Sequence, residues 1–181
     1  MWLDARRVRV DWTYTALIGR RFHADLISAD TIRVIRRPEL EPQLKPPGPM
    51  PLAIDIDRVQ AKVELLEGFA KEYGQWNLTG AARLERGPQK TARLKAVSVS
   101  RPGDFLNIDF DLGGPKGLSL NAQAFEARGG PLAGALGYSP GRPFVVDIRA
   151  KGQKKAGTLY ALVKTGDFEP LRATAYWKDG N

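Results

Sequence analysis

FLNIDFDLGGPKGLSLNAQA, residues 105–124, decides the fold class. Leu106, Ile108, Phe110 and Leu112 fall on one side of an extended chain, and Asn107, Asp109 and Asp111 on the other. A period of two belongs to a strand with one dry face and one wet face. A helix would also need apolar residues three apart, and three beyond Leu106 and Ile108 the chain places Asp109 and Asp111. Gly113-Gly114-Pro115-Lys116-Gly117 interrupts the pattern as a turn. Leu118, Leu120, Ala122 and Ala124 then resume it against Ser119, Asn121 and Gln123.

The same alternation extends in both directions. Trp76, Leu78, Gly80, Ala82 and Leu84 oppose Asn77, Thr79, Arg83 and Glu85, and Phe144, Val146, Ile148 and Ala150 oppose Asp147, Arg149 and Lys151. Leu159, Ala161 and Val163 continue the theme, and Leu171, Ala173, Ala175 and Trp177 end it. About ten or eleven strands are predicted, most of them bounded by Gly, Pro or Asp. Helix is scarce. VDWTYTALIGRRFHADLI (10–27) breaks its alternation for one turn, and GPLAGALGY (130–138) reads as a short helix with Pro131 in its first turn and Gly137 at its end. In the first turn Thr13 or Thr15 is the expected cap, Ala16, Leu17 and Ile18 are expected to plug an end of the apolar face, and Gly19 is expected to release the chain.

Prolines 38, 42, 46, 47, 49 and 51 crowd one short segment. Such a run suits an extended surface crossing and supplies few N–H donors to a ladder. The expected organisation is one β segment of a longer protein. Residues 1–37 form a strand–turn–strand unit, 38–51 a proline-rich connection, and 52–181 a meander with a short helix near 131–137. Met1 leading straight into Trp2-Leu3 within an alternating pattern reads as a start inside that longer chain.

Composition narrows the function. The chain has no cysteine, which excludes structural disulfides and thiolate metal sites. No run approaches the ~20 apolar residues of a membrane helix. The net charge of +8 is spread evenly along the 181 residues, whereas a nucleic-acid binder concentrates it in a patch. Nucleic acid is therefore not an expected partner, and anionic lipid headgroups suit a thin positive excess better.

No coherent set of catalytic groups emerges, and no cofactor is called for. Gly137-Tyr138-Ser139-Pro140-Gly141 matches G-x-S-x-G, but Pro140 lacks the N–H that a nucleophile elbow needs after its serine. His23 is the only histidine and has no second imidazole or thiol to complete a zinc site. Asp55/Asp57 and Asp109/Asp111 read as the wet positions of strands. The arginines at 6, 7, 9, 20, 21, 33, 36 and 37 interleave with acids, as surface ion pairs do.

The dry faces pose the main physical problem, because no helix is long enough to cover them. They either pack on one another, as a sandwich or closed barrel, or curl into an open groove whose dry side holds an apolar ligand. Ala and Gly at 80, 82, 122, 124, 150, 173 and 175 favour room over a filled core or suit a sharply curved sheet.

The order of pieces adds a resemblance. Val10-Asp11-Trp12, Ala16-Leu17-Ile18-Gly19, Leu26-Ile27-Ser28-Ala29 and Val34-Ile35-Arg36-Arg37-Pro38 resemble the N-terminal region of the TamB family, the AsmA-like translocation and assembly module subunits. PLAIDIDRVQAKVELLEG, Leu78-Thr79-Gly80 and GGPLAGALGYSPGRPFVVDI are similar to its continuation. Ile18, Gly134 and Tyr138 depart from that pattern. The resemblance implies a periplasmic β-groove of antiparallel strands, attached to the inner membrane by an anchor that lies outside this chain. It implies that phospholipid acyl chains are conducted between the inner and outer membranes. It also implies support of outer-membrane protein assembly, with a BamA-family partner reached through a region outside this chain.

On that reading the protein is not an enzyme. The expected groove lining is Trp76, Leu78, Leu84, Leu106, Ile108, Phe110, Leu118, Leu120, Phe144, Val146 and Ile148, on the apolar faces of the clearest strands. Phe22 is expected to resume the lining after the first turn. The alternative is a structural module, closed as a sandwich or barrel, that scaffolds an envelope assembly partner through a strand edge.

Overall fold

Most of the alternating segments are joined by loops too short to carry them past a neighbour, so they pair in chain order. A computed structural model describes residues 1–37, 50–114, 117–153 and 155–178. Its strands are β1 (Leu3–Arg6), β2 (Arg9–Trp12), β3 (Arg21–Val34), β4 (Ala53–Leu65), β5 (Gly74–Leu84) and β6 (Lys90–Ser98). They continue as β7 (Phe105–Gly114), β8 (Gly117–Glu126), β9 (Phe144–Gln153), β10 (Ala156–Thr165) and β11 (Phe168–Lys178). A 3-10 helix spans Tyr14–Gly19, α1 spans Glu67–Ala70 and α2 spans Pro131–Ala135.

All eleven strands belong to one sheet in the order β1-β3-β4-β5-β6-β7-β8-β9-β10-β11, with β2 also on β3. The protein is a mainly β, open antiparallel meander, not closed into a barrel. Among the described residues the strands form one sheet, which does not close into the barrel considered above.

Strands β1 and β2 act as one interrupted edge strand. β1 lies against Thr31–Val34 and β2 against Ala24–Ser28 of the same neighbour. At the interruption Arg7 takes a left-handed conformation (φ 51°) and its side chain meets Asp30 at 2.7 Å.

One pair departs from the antiparallel rule. β3 and β4 run parallel, with Arg21 opposite Ala53 and Val34 opposite Leu65. Antiparallel neighbours can be joined by a tight turn, whereas parallel ones need a long connection. The segment between Val34 and Ala53 provides that length. The proline-rich connection expected at 38–51 lies outside the described residues except for Met50 and Pro51.

The helices differ from expectation in an instructive way. The 3-10 helix forms where a turn was predicted, but it buries none of its residues. Leu17 and Ile18 do not plug the apolar face; they are 43% and 88% exposed. Thr13 occupies the cap position without a side-chain hydrogen bond, and the left-handed residue is Arg20 (φ 55°), not Gly19. The reason lies in the pairing on either side. The Thr13 N–H donates to the His23 carbonyl at 2.9 Å, and the Ala53 N–H donates to the Arg20 carbonyl at 2.9 Å. The turn is thereby held in line with the sheet as a hairpin tip and cannot fold back over it.

α1, which the sequence reading missed, and α2 take the plugging role at the opposite ends of the strands. Four residues are too few to display a helical period, so α1 had no signal.

Candidate functional site

Cross-strand partners point to the same side of a sheet, and so do residues two apart along a strand. The register therefore places all eleven expected lining residues on one face. Trp76 pairs with Val63 and Ser98, and Leu78 with Ala61 and Ala96. Ile108 pairs with Leu94 and Ala122, Phe110 with Leu120, and Leu112 with Leu118. Val146 pairs with Ala124, Ile148 with Ala122, and Phe144 with Glu126. The apolar face continues to both edges through Phe22 opposite Ile54 and Val163 opposite Leu171. Trp12 stacks on Phe22 with ring centroids 5.8 Å apart.

This face carries a concavity of about 440 Å³, lined by side chains of β4 to β9 and roofed from one side by α1 and α2. The size is within the range of small-molecule sites. Trp76, Leu78, Leu106, Ile108, Phe144 and Val146 line it. Trp76 and Phe144, only 2% and 0% exposed, are its covered floor beneath the helices. Leu84, Phe110, Leu118, Leu120 and Ile148 sit on the same face but outside this concavity, half-buried. Val63, Leu65, Phe69, Ala96, Leu132 and Leu136 line it without having been anticipated. Val63 and Leu65 were legible as an alternation. Phe69, Leu132 and Leu136 depend on how two short helices fold over the sheet, which no local pattern encodes.

The roof is held by close contacts and one buried acid. A Cβ on Gly134 of α2 would lie 1.6 Å from the Ala70 carbonyl oxygen of α1, so only glycine permits the two helices to touch. A Cβ on Gly74 would lie 2.2 Å from Pro131, which seats the start of α2 on β5. Glu126 is fully buried, and its carboxylate accepts the N–H groups of Gly130 (2.7 Å), Leu132 (2.9 Å) and Ala133 (2.9 Å). Those are the orphan donors of the first helical turn, which a carboxylate satisfies well. Ala and Gly on the apolar face serve different ends. Gly80 packs tightly, since a Cβ there would lie 2.7 Å from the Arg93 carbonyl oxygen. Gly152 and Gly157 make space for the Trp177 ring, which lies over both.

The wet face is a field of ion pairs, as the interleaved charges implied. Asp55 is buried among Arg83 (3.1 Å), Arg21 (3.7 Å) and His23 (3.8 Å). Hydrogen bonding to Glu85 pushes Arg21 above the usual arginine range, and hydrogen bonding to Asp55 does the same for Arg83. Among the described residues His23, Asp25 and Asp57 bring ligand atoms within 4.8 Å of one another, so this trio is where a cation could sit. It lies on the polar side, away from the concavity. The G-x-S-x-G match falls between α2 and β9, a helix–turn–strand order that reverses the strand–turn–helix of a nucleophile elbow.

No family model, curated protein or solved structure matches this chain. The class of molecule is therefore defined by its architecture: an open, single-layer β-sheet with one continuous apolar face.

Proposed function

We propose that the chain is a non-enzymatic segment that holds phospholipid acyl chains against its apolar face. One observation carries the reading: eleven strands turn apolar side chains to one side, and among the described residues no second layer covers them beyond the two short helices. A monomeric soluble protein rarely leaves such a surface open unless something apolar occupies it. Acyl chains lie along Leu78, Ile108 and Val146 and extend toward Leu120 and Phe110, while headgroups stay at the strand ends. The resemblance to the TamB family supports placing this segment in the periplasm of a longer, inner-membrane-anchored protein. There it would conduct phospholipid between the inner and outer membranes and aid outer-membrane protein assembly, its BamA-family partner meeting another part of the protein.

Native mass spectrometry of the protein extracted from a cell envelope tests the proposal. Co-purifying phospholipid is the expected result, and Ile108→Asp or Leu120→Asp reduces its occupancy at least tenfold, because a carboxylate in an apolar site is costly. Consistent recovery without lipid, or unchanged occupancy in folded variants, contradicts it.

A further inference from the structure

The strand end opposite the roof combines exposed cations with a protruding apolar turn. At the roofed end Arg101 meets Glu72 at 2.9 Å and Lys71 donates to the Gly137 carbonyl at 3.0 Å, while Arg128, Arg142 and Leu136 are exposed. Asp104, Glu126 and Asp167 add negative groups there.

The other end carries Arg20 beside the 3-10 tip, Arg86 in the β5–β6 loop, Lys155 in the β9–β10 loop and Lys178 at the close of β11. All four are exposed. No acidic side chain lies within ion-pair distance of any of them among the described residues. Glu85, the acid of the β5–β6 loop, is occupied by Arg21 at 2.9 Å. Beyond this cationic rim project Tyr14, Leu17 and Ile18, 73%, 43% and 88% exposed, on a turn that packs nothing beneath it.

Exposed aromatic and aliphatic side chains on a protruding turn, backed by unpaired cations, match the chemistry of a bilayer interface. Among the described residues no helix is long and apolar enough to cross a membrane, so this contact is peripheral. We propose that the 3-10 hairpin tip docks on an anionic lipid bilayer. Tyr14, Leu17 and Ile18 enter the boundary between headgroups and acyl chains, and Arg20 and Arg86, with Lys155 and Lys178 along the same rim, face the phosphates. The docking stands apart from lipid held on the apolar face, since its residues line no part of the concavity.

The absence of native cysteine makes a single-site label possible. Ile18→Cys in the whole chain, carrying an environment-sensitive fluorophore, is mixed with vesicles of phosphatidylcholine alone or with phosphatidylglycerol added. A blue shift with the anionic vesicles is expected at position 18, and none at a label on Ser139→Cys at the opposite end. In flotation assays, Arg20→Glu with Arg86→Glu lowers the partition coefficient more than twentyfold, at about fivefold for each cation removed. Leu17→Ser with Ile18→Ser lowers it about tenfold. Both variants keep the far-ultraviolet spectrum and the phospholipid recovered by native mass spectrometry. An unshifted label at position 18, equal shifts at both ends, or equal binding to neutral vesicles overturns the docking. Loss of co-purified lipid with intact vesicle binding would strike the acyl-chain reading alone.

Discussion

Gly134 shows how a residue that looks unfavourable in isolation becomes required. In the middle of a five-residue helix, glycine costs about 1 kcal/mol relative to alanine. Its missing side chain is what allows the Ala70 carbonyl of α1 to approach. Gly134→Ala is therefore expected to destabilise the fold by about 2 kcal/mol or more, against the gain that propensity alone would give. Urea unfolding followed by tryptophan fluorescence measures the difference. Glu126 makes the complementary case. Glu126→Gln leaves one oxygen, and an NH2 aimed at backbone donors, where two oxygens served three N–H groups. A loss of about 1–3 kcal/mol is expected in the same assay. Arg172 and Glu169 on β11 belong at the other extreme. Their hydrogen bond holds the Glu169 carboxyl below its usual range, so what it contributes is present above the unfolded-state value and fades as pH falls through the folded one. Both groups are solvated, and such pairs add little.

Two short helices and a 3-10 turn divide the work of the strand ends. α1 and α2 bury Trp76 and Phe144 and touch through Ala70 and Gly134. The 3-10 helix touches little besides its own hairpin. Leu17→Ser with Ile18→Ser is accordingly expected to shift unfolding free energy by less than about 0.5 kcal/mol per site. Phe144→Ala at the roofed end should cost about 3–5 kcal/mol. The 3-10 turn and α2, unlike α1, could be located approximately from sequence, since each interrupts an alternation and ends near glycine. Their roles could not. ALIG is apolar enough to plug a groove, and only the hydrogen bonds of Thr13 and Ala53 show that it is held beyond the sheet's end.

At the scale of the whole molecule, the sheet has an open apolar face whose residues are mostly half-buried. The native protein should therefore enhance the fluorescence of an apolar dye such as ANS, which a packed sandwich would not. Added phospholipid should displace that signal in proportion to the amount bound. A native protein that leaves ANS dark after delipidation would contradict an accessible apolar face. The strand pairing follows from the same economy: short loops join most neighbours, and the long proline-rich segment coincides with the parallel pair β3–β4.

What the sequence by itself determined is the alternation, and with it the strands, their wet and dry faces, and the common side of Trp76 and Leu78 within one strand and of Leu106, Ile108 and Phe110 within another. Those properties are local, because side-chain direction along a strand depends only on position parity. Only the tertiary structure decided that the faces stay open, that α1 and α2 roof one end, and that the tip at Tyr14–Gly19 projects from the other. Each depends on contacts between residues distant in the chain, such as Gly134 with Ala70 or Arg20 with Ala53, and no periodicity records which distant partners will meet.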